Sequence, residues 1–162
     1  MKNIKLLVFS DSHGRARYIE NAIEAHSGRA DAFIFLGDGI SDAERAFAKY
    51  PDVPSVIVRG NCDFNAGGYI DEAMINLGGV NILCTHGHKY SVKSTLTPLG
   101  MRAMEKGADI VLFGHTHDER EIRVASLVYF NPGSVGMGYP KRSYGVVNIC
   151  DKKIICSHGT VE

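Results

Sequence analysis

The 162-residue sequence predicts an α/β fold in which two β-sheets lie face to face with helices outside. Strand-length apolar runs alternate with helical patterns over the first two-thirds of the chain, the last third reads as strands joined by short turns, and no linker or composition break separates the two. A single domain spanning 1–162 follows.

The apolar runs at 5–9, 32–36, 55–58, 81–84 and 110–113 are each about strand length and rich in Ile, Val, Leu and Phe. Runs that are apolar throughout suit strands buried on both faces, under a layer of helices. Between them, 15–25 places Ile19, Ala22, Ile23 and His26 at helical spacing, and 42–49 puts Ala43, Ala46 and Phe47 on one stripe. A third helix is expected over 94–106, with Pro98 and Gly100 blurring its start. The segments 121–124, 127–130, 143–150 and 153–157 read as successive strands, with Asp151-Lys152 a tight hairpin turn.

Eighteen basic residues balance eighteen acidic ones, so no overall field draws the chain onto nucleic acid or an anionic membrane. Four scattered cysteines form no CxxC pair and fit a reduced compartment. The first apolar run is too short for a signal sequence, and no stretch approaches the roughly 20 apolar residues of a membrane span. A cytoplasmic protein with no membrane partner is expected.

Polar residues able to hold a metal sit just beyond each of the first five runs. They are Asp11-Ser12-His13, Gly37-Asp38-Gly39, Gly60-Asn61-Cys62-Asp63, His86-Gly87-His88 and Gly114-His115-Thr116-His117. In α/β sheets the carboxyl ends of the strands form the ligand crevice, so five loops on one edge bring together groups spread over the chain. Singly these motifs are ordinary. Asp11 or Ser12 would cap the helix near Arg15, and Gly-Asp or Gly-Asn would turn the chain. The ordered conjunction, with five of the seven histidines at strand ends, decides for chemistry.

This string of motifs resembles that of the calcineurin-like metallophosphoesterases. The Gly-Asn-Cys-Asp form, with Asn131-Pro132-Gly133-Ser134-Val135-Gly136 downstream, looks most like the small bacterial and archaeal phosphodiesterases of that superfamily. The resemblance runs from Asp11 to about Pro140. It implies a four-layer αββα sandwich of two mixed sheets, with two divalent cations at one rim. By the same resemblance Asp11, His13 and His117 hold one cation, Asn61, His86 and His115 the other, and Asp38 bridges them; a carboxylate can bridge two cations through its two oxygens, which a histidine cannot. Mixed imidazole and oxygen donors suit Mn²⁺, Fe, Ni²⁺ or Zn²⁺ better than Mg²⁺ or Ca²⁺, which prefer oxygen alone, and Mn²⁺ is the expected occupant. A dinuclear centre of this kind activates a hydroxide for attack on phosphorus.

Where many superfamily members carry histidine, this chain has Cys62, a poor proton donor read here as a small, half-buried filler that leaves Asp63 without its usual partner. His88 is then the candidate for proton donation or phosphate contact, with packing behind the metal ligands an equal alternative, beside Asp38 and Asn61 at the reacting centre. A small phosphodiester is the expected substrate. Asn131 to Ser134 are expected to line the site, and Arg59, Lys89, Lys141 and Arg142 to contact phosphate or simply be solvated. His26 and His158 fall outside every motif and read as surface residues. Relatives are often dimers or larger, which makes a homo-oligomer an expectation by analogy. The competing class is a scaffold of the same fold that has lost turnover; all seven ligand positions hold competent residues, which speaks against it. A nuclease would need a basic surface that the composition does not supply.

Overall fold

The computed structural model describes residues 2–138 and 140–162. In chain order its elements are β1 (Ile4–Phe9), α1 (Ala16–Ala25), β2 (Ala32–Phe35), α2 (Ile40–Phe47), β3 (Ser55–Ile57), β4 (Glu72–Leu77), β5 (Val80–Thr85), a 3₁₀ turn (His88–Tyr90), α3 (Thr97–Glu105), β6 (Ile110–Leu112), β7 (Glu119–Val124), β8 (Leu127–Pro132), β9 (Arg142–Cys150) and β10 (Lys153–Val161). One sheet runs β10-β9-β1-β2-β3, with β1, β2 and β3 parallel. The other runs β4-β5-β6-β8-β7, with β5, β6 and β8 parallel and antiparallel strands at both edges.

The period of two along each strand divides its side chains between two cores. Leu6, Val8, Ile34 and Leu36 from one sheet meet Ile82, Cys84, Ile110 and Leu112 from the other, filling the space between the sheets. Their neighbours Leu7, Phe9, Phe33 and Phe35 point the other way, onto Ile19, Ile23, Ala43 and Phe47 of α1 and α2. Leu83, Val111 and Phe113 likewise meet Leu99 and Ala103 of α3. Two faces buried on the same strand explain why these runs are apolar throughout, and the layers are α, β, β, α. Each fully buried Leu, Ile or Phe contributes roughly 2 kcal/mol, so this layering dominates the stability.

The helix boundaries differ slightly from those expected. α1 begins at Ala16 with no side-chain cap, because Ser12 and Asp11 are engaged elsewhere. Pro98 sits in the first turn of α3, where its missing N–H costs nothing. The Asp151-Lys152 hairpin forms as expected, with both residues at positive φ (50° and 64°). β4 was not anticipated. It is an edge strand whose Ala73, Ile75 and Leu77 reach the inter-sheet core while Glu72, Met74 and Asn76 face outward.

Two histidines expected at the surface are built into the structure. His26 is half-buried, with Nδ1 2.7 Å from Lys5 Nζ and Nε2 2.8 Å from the Tyr144 hydroxyl. An ammonium can only donate, so Nδ1 accepts and the Nε2 hydrogen goes to Tyr144. His158 stacks on Phe130 (4.6 Å between ring centres), and its Nε2 lies 2.7 Å from the Asn131 carbonyl. Both lie on elements that lay them against aromatic residues. No helix among the described residues is long and apolar enough to cross a membrane.

Candidate metal centre

Parallel strands β1, β2 and β3 of one sheet and β5 and β6 of the other end at a common rim, and the loops leaving them carry the predicted residues. Asp11, His13, Asp38, His115 and His117 all have positive φ, between 44° and 71°. Aspartate and histidine tolerate this region better than most residues, yet each instance costs about 1–2 kcal/mol. Backbone bonds hold the loops in it: Asp11 N–H to Gly37 O (2.9 Å), His13 N–H to Asp38 O (3.1 Å) and Gly114 N–H to His86 O (3.0 Å). Gly60 is required by close approach, since a Cβ there would lie 2.2 Å from Asp38 Oδ1.

Each carboxylate has one oxygen tied to the protein and the other aimed inward. Asp11 Oδ2 accepts from the Ser10 hydroxyl (2.5 Å) and the His115 N–H (3.1 Å). Its Oδ1 faces His117 Nε2 at 3.2 Å, His13 Nε2 at 3.6 Å and His86 Nε2 at 3.9 Å. Asp38 Oδ1 accepts the Cys62 N–H (2.8 Å), which leaves Oδ2 3.3 Å from His86 Nε2 and 3.8 Å from His13 Nε2. Oδ2 is thus the oxygen aimed at the imidazoles, while Oδ1 keeps a second lone pair beside the Cys62 bond. His86 Nδ1 lies 2.7 Å from the Leu36 carbonyl, an acceptor, so that nitrogen carries the hydrogen and Nε2 is left as a lone-pair donor. His115 Nδ1 lies 3.2 Å from His86 Nε2.

Two triads of candidate ligand atoms result, Asp11-His13-His117 and Asp38-His86-His115, each with its atoms within 4.8 Å of one another. Asp11 Oδ1 and His13 Nε2 are both buried without a hydrogen-bond partner. Unpaired buried polar atoms are costly, and a cation between them would satisfy both. The donor set fits the metals that its chemistry suggests.

The protonation states follow from the crowding. Burial opposes ionisation of Asp11, but His117 and His13 outweigh it and hold the carboxyl well below the usual range. Asp38 is lowered in the same way, with His86 outweighing burial. The Asp11 contact raises His13, and Asp38 raises His86 against the effect of its burial. Burial and the positive field of His86 push His115 down to about 4.

The remaining predicted residues sit around this centre. Asn61 stands exposed on the rim with its Nδ2 3.5 Å from Cys62 Sγ. Cys62 is exposed rather than half-buried, and its sulfur joins His13 and Asp38 in a third triad. Desolvation and the Asp38 carboxylate push its thiol pKa up, so the protonated form is favoured. His88 is half-buried on the 3₁₀ turn, its ring 5.4 Å from that of His86, with Nδ1 buried and unpartnered. Burial and His86 lower its pKa, so it rests neutral.

Several supporting residues carried little signal in the sequence. Asp63 does not lack a partner: Oδ1 accepts the N–H groups of Gly39 (2.8 Å) and Ile40 (3.1 Å), and Oδ2 those of Asp38 (2.7 Å) and Gly60 (2.8 Å). Asp42 accepts from the Ser12 hydroxyl (2.6 Å) and the Gly14 N–H (2.8 Å), pinning the first loop to α2. Asn131 and Ser134 are buried beneath the loops rather than lining the site. Asn131 Nδ2 donates to Gly114 O (3.2 Å) and the Thr116 hydroxyl (3.0 Å), and the Ser134 hydroxyl donates to Asp11 O (2.8 Å). Arg59 and Lys89 both pair with Asp71, Lys141 pairs with Glu119, and Arg142 lies over the Tyr18 ring at 4.1 Å.

Two mixed sheets with a carboxylate–imidazole cluster across their strand ends define a metallophosphoesterase architecture. The chain belongs to the calcineurin-like phosphoesterase superfamily, whose domain model matches residues 4–152. It is 35% identical over 149 residues to the probable metallophosphoesterase YsnB of Bacillus subtilis, covering 90% of this chain and 85% of that protein. It is 27% identical over 173 residues to the phosphodiesterase YfcE of Escherichia coli, covering 90% and 88% respectively. Among solved structures, a predicted phosphoesterase from Streptococcus pneumoniae superposes with a TM-score of 0.80 at 29% identity, covering 99% of this chain and 91% of that one. The family is one of metal-dependent phosphoester hydrolases.

Proposed function

We propose that the chain, as a single domain, is a cytoplasmic phosphodiesterase working with two divalent cations, Mn²⁺ foremost. Asp11, His13 and His117 would hold one, Asn61, His86 and His115 the other, and Asp38 would serve both. The observation that carries this reading is the facing pair of buried, unpartnered atoms, Asp11 Oδ1 and His13 Nε2. Bound there, the cations would supply Lewis acidity toward the phosphate oxygens and acidify water. The likeness to YfcE, named a phosphodiesterase, supports the diester class. So does the cavity beside the centre, which has no Lys or Arg among its lining residues to meet the extra charge of a monoester.

In this reading the chain's own residues orient and contact the substrate. The Leu36 carbonyl fixes the His86 tautomer, and the Ser10 and His115 bonds fix the Asp11 rotamer. The neutral resting state of His88 suits a hydrogen bond to a phosphate oxygen better than storage of a proton for the leaving group. His88→Ala is expected to lower kcat/KM by about 10–100-fold, to the same extent on diesters with good and poor leaving groups. A loss that grows with the leaving-group pKa would make it the general acid instead. Activity equal to wild type on a poor-leaving-group diester would remove both roles.

Acid should oppose metal loading. His13 and His86 have raised pKa values in the metal-free protein, and each must shed its proton before the nitrogen takes a cation. His115, held near 4, is already deprotonated at neutral pH and releases nothing. The apparent Kd for Mn²⁺ is therefore expected to weaken by about tenfold per pH unit for each proton released as pH falls below 7. A competition titration between pH 5.5 and 7.5, with each pH set by about half-unit steps, would refute this if the Kd stayed constant.

The experiment that tests the whole reading is elemental analysis of the purified protein together with rates on activated diesters and monoesters in Mn²⁺. Bound metal and faster diester hydrolysis are expected. Neither metal nor turnover would favour a scaffold of the same fold.

A further inference from the structure

A cavity of about 630 Å³ opens beside the centre, floored by His13, Asp38 and Cys62. That volume accommodates a sizeable organic group. Its outer wall is made by Ile40, Glu44, Phe64 and Tyr69, and no Lys or Arg lines it. The carboxylates deeper in the cavity are already committed: Asp63 to four backbone N–H groups, Asp42 to Ser12 and Gly14, and Asp38 to the centre.

Glu44 makes no ion pair among the described residues: it is exposed, and its chain neighbour Arg45 pairs with Glu20 instead. Its near neighbour is Tyr69, whose phenol is held above its ordinary pKa by burial, then by the charge of this carboxylate and a hydrogen bond to it, which leaves the carboxylate its charge. Phe64 also lines the cavity, with 82% of its surface exposed. The loop that carries it has room, since a Cβ at Gly67 or Gly68 would meet nothing within 4 Å. A carboxylate and two aromatic rings lining one cavity are the chemistry that receives an ammonium group. The same wall repels a second phosphate or a nucleotide chain.

Resting on the phosphodiesterase reading above, we propose that this cavity receives a positively charged organic arm of the diester, an amine or quaternary ammonium, and that Glu44 selects it. Hydrolysis would place the water oxygen on phosphorus and break the bond to the leaving oxygen, with the charged arm held but unreacted.

The test compares two diesters that share a p-nitrophenolate leaving group and differ only in charge, one with a choline arm and one with its neutral isostere, a 3,3-dimethylbutyl arm. With the Mn²⁺-loaded enzyme, kcat/KM for the choline ester is expected to exceed that of the isostere by about tenfold. Glu44→Gln, an exposed position outside the metal centre, should keep the rate on the neutral ester and remove most of the preference. Equal rates on both esters in the wild type would overturn the inference and leave the phosphodiesterase reading standing. A preference that survives Glu44→Gln would overturn the assignment to Glu44. Hydrolysis of neither ester would overturn the phosphodiesterase reading and this inference with it.

Discussion

Asp38→Asn should abolish activity while leaving the fold intact, with a loss in kcat/KM of at least about a thousandfold, or ~4 kcal/mol of transition-state stabilisation. The asymmetry of the carboxylate makes the substitution selective. Oδ1 accepts the Cys62 N–H, a role that the amide oxygen of asparagine performs equally well. Oδ2 is the atom facing His86 at 3.3 Å and His13 at 3.8 Å, and there asparagine would present an NH₂ group, a donor with no lone pair for a cation. The metal-free variant should be less stable than the metal-free wild type at neutral pH, because the lowered pKa of Asp38 means that its contact with His86 outweighs both burial and the nearby Asp11 charge, and asparagine loses that contact. Elemental analysis should show metal lost, and urea unfolding of the stripped proteins should show a modest loss of stability at neutral pH that shrinks as pH falls through the carboxylate range. Wild-type metal content in the variant would show that Asp38 is not shared between cations.

The layers of the fold were legible because the physics behind them is local. Runs such as Ala-Phe-Ile-Phe in β2 are apolar at every position because one face meets the other sheet and the other meets α1 and α2. β4 was not read, although Ala73, Ile75 and Leu77 alternate correctly, because Glu72, Met74 and Asn76 between them make a half-polar edge strand. In the centre, Asp11, His13, His86, His115 and His117 were legible as residue types at strand ends. The left-handed backbone of Asp11, His13, His115 and His117 was not, since no local pattern requires a positive φ at an aspartate or histidine in this context. The bonds that hold that strain join residues far apart in sequence, such as Ser134 to Asp11 and Asn131 to Gly114. A buried serine and asparagine in a glycine turn look the same whether they line a site or support it from beneath. His26 and His158 were misread for the same reason, their partners Tyr144 and Asn131 being distant along the chain.

Asp63 shows how far such support reaches, and its replacement should have the second largest effect. One carboxylate joins the loop after β2 to the loop after β3, and through Ile40 it also satisfies an N–H in the first turn of α2. All four of its partners are donors, so only a group with acceptors on both branches fits. Asparagine keeps two acceptor contacts through its oxygen but sets an NH₂ against the remaining pair of N–H groups, making the near-isosteric change almost as damaging as alanine. Hydrogen bonds to a charged group are worth about 1.5–3 kcal/mol each and are not additive, so a total loss of about 3 kcal/mol is expected for this half-buried residue. For a chain of this size that lowers Tm by roughly 6–12 °C. The same loops carry Asp38 and Asn61, so affinity for Mn²⁺ should fall in Asp63→Asn although Asp63 itself faces away from the cluster. Thermal unfolding of the metal-free protein and a metal titration of the folded variant separate the two effects. A variant with wild-type Tm and wild-type affinity would show that the positive-φ backbone at Asp38 holds without this clamp.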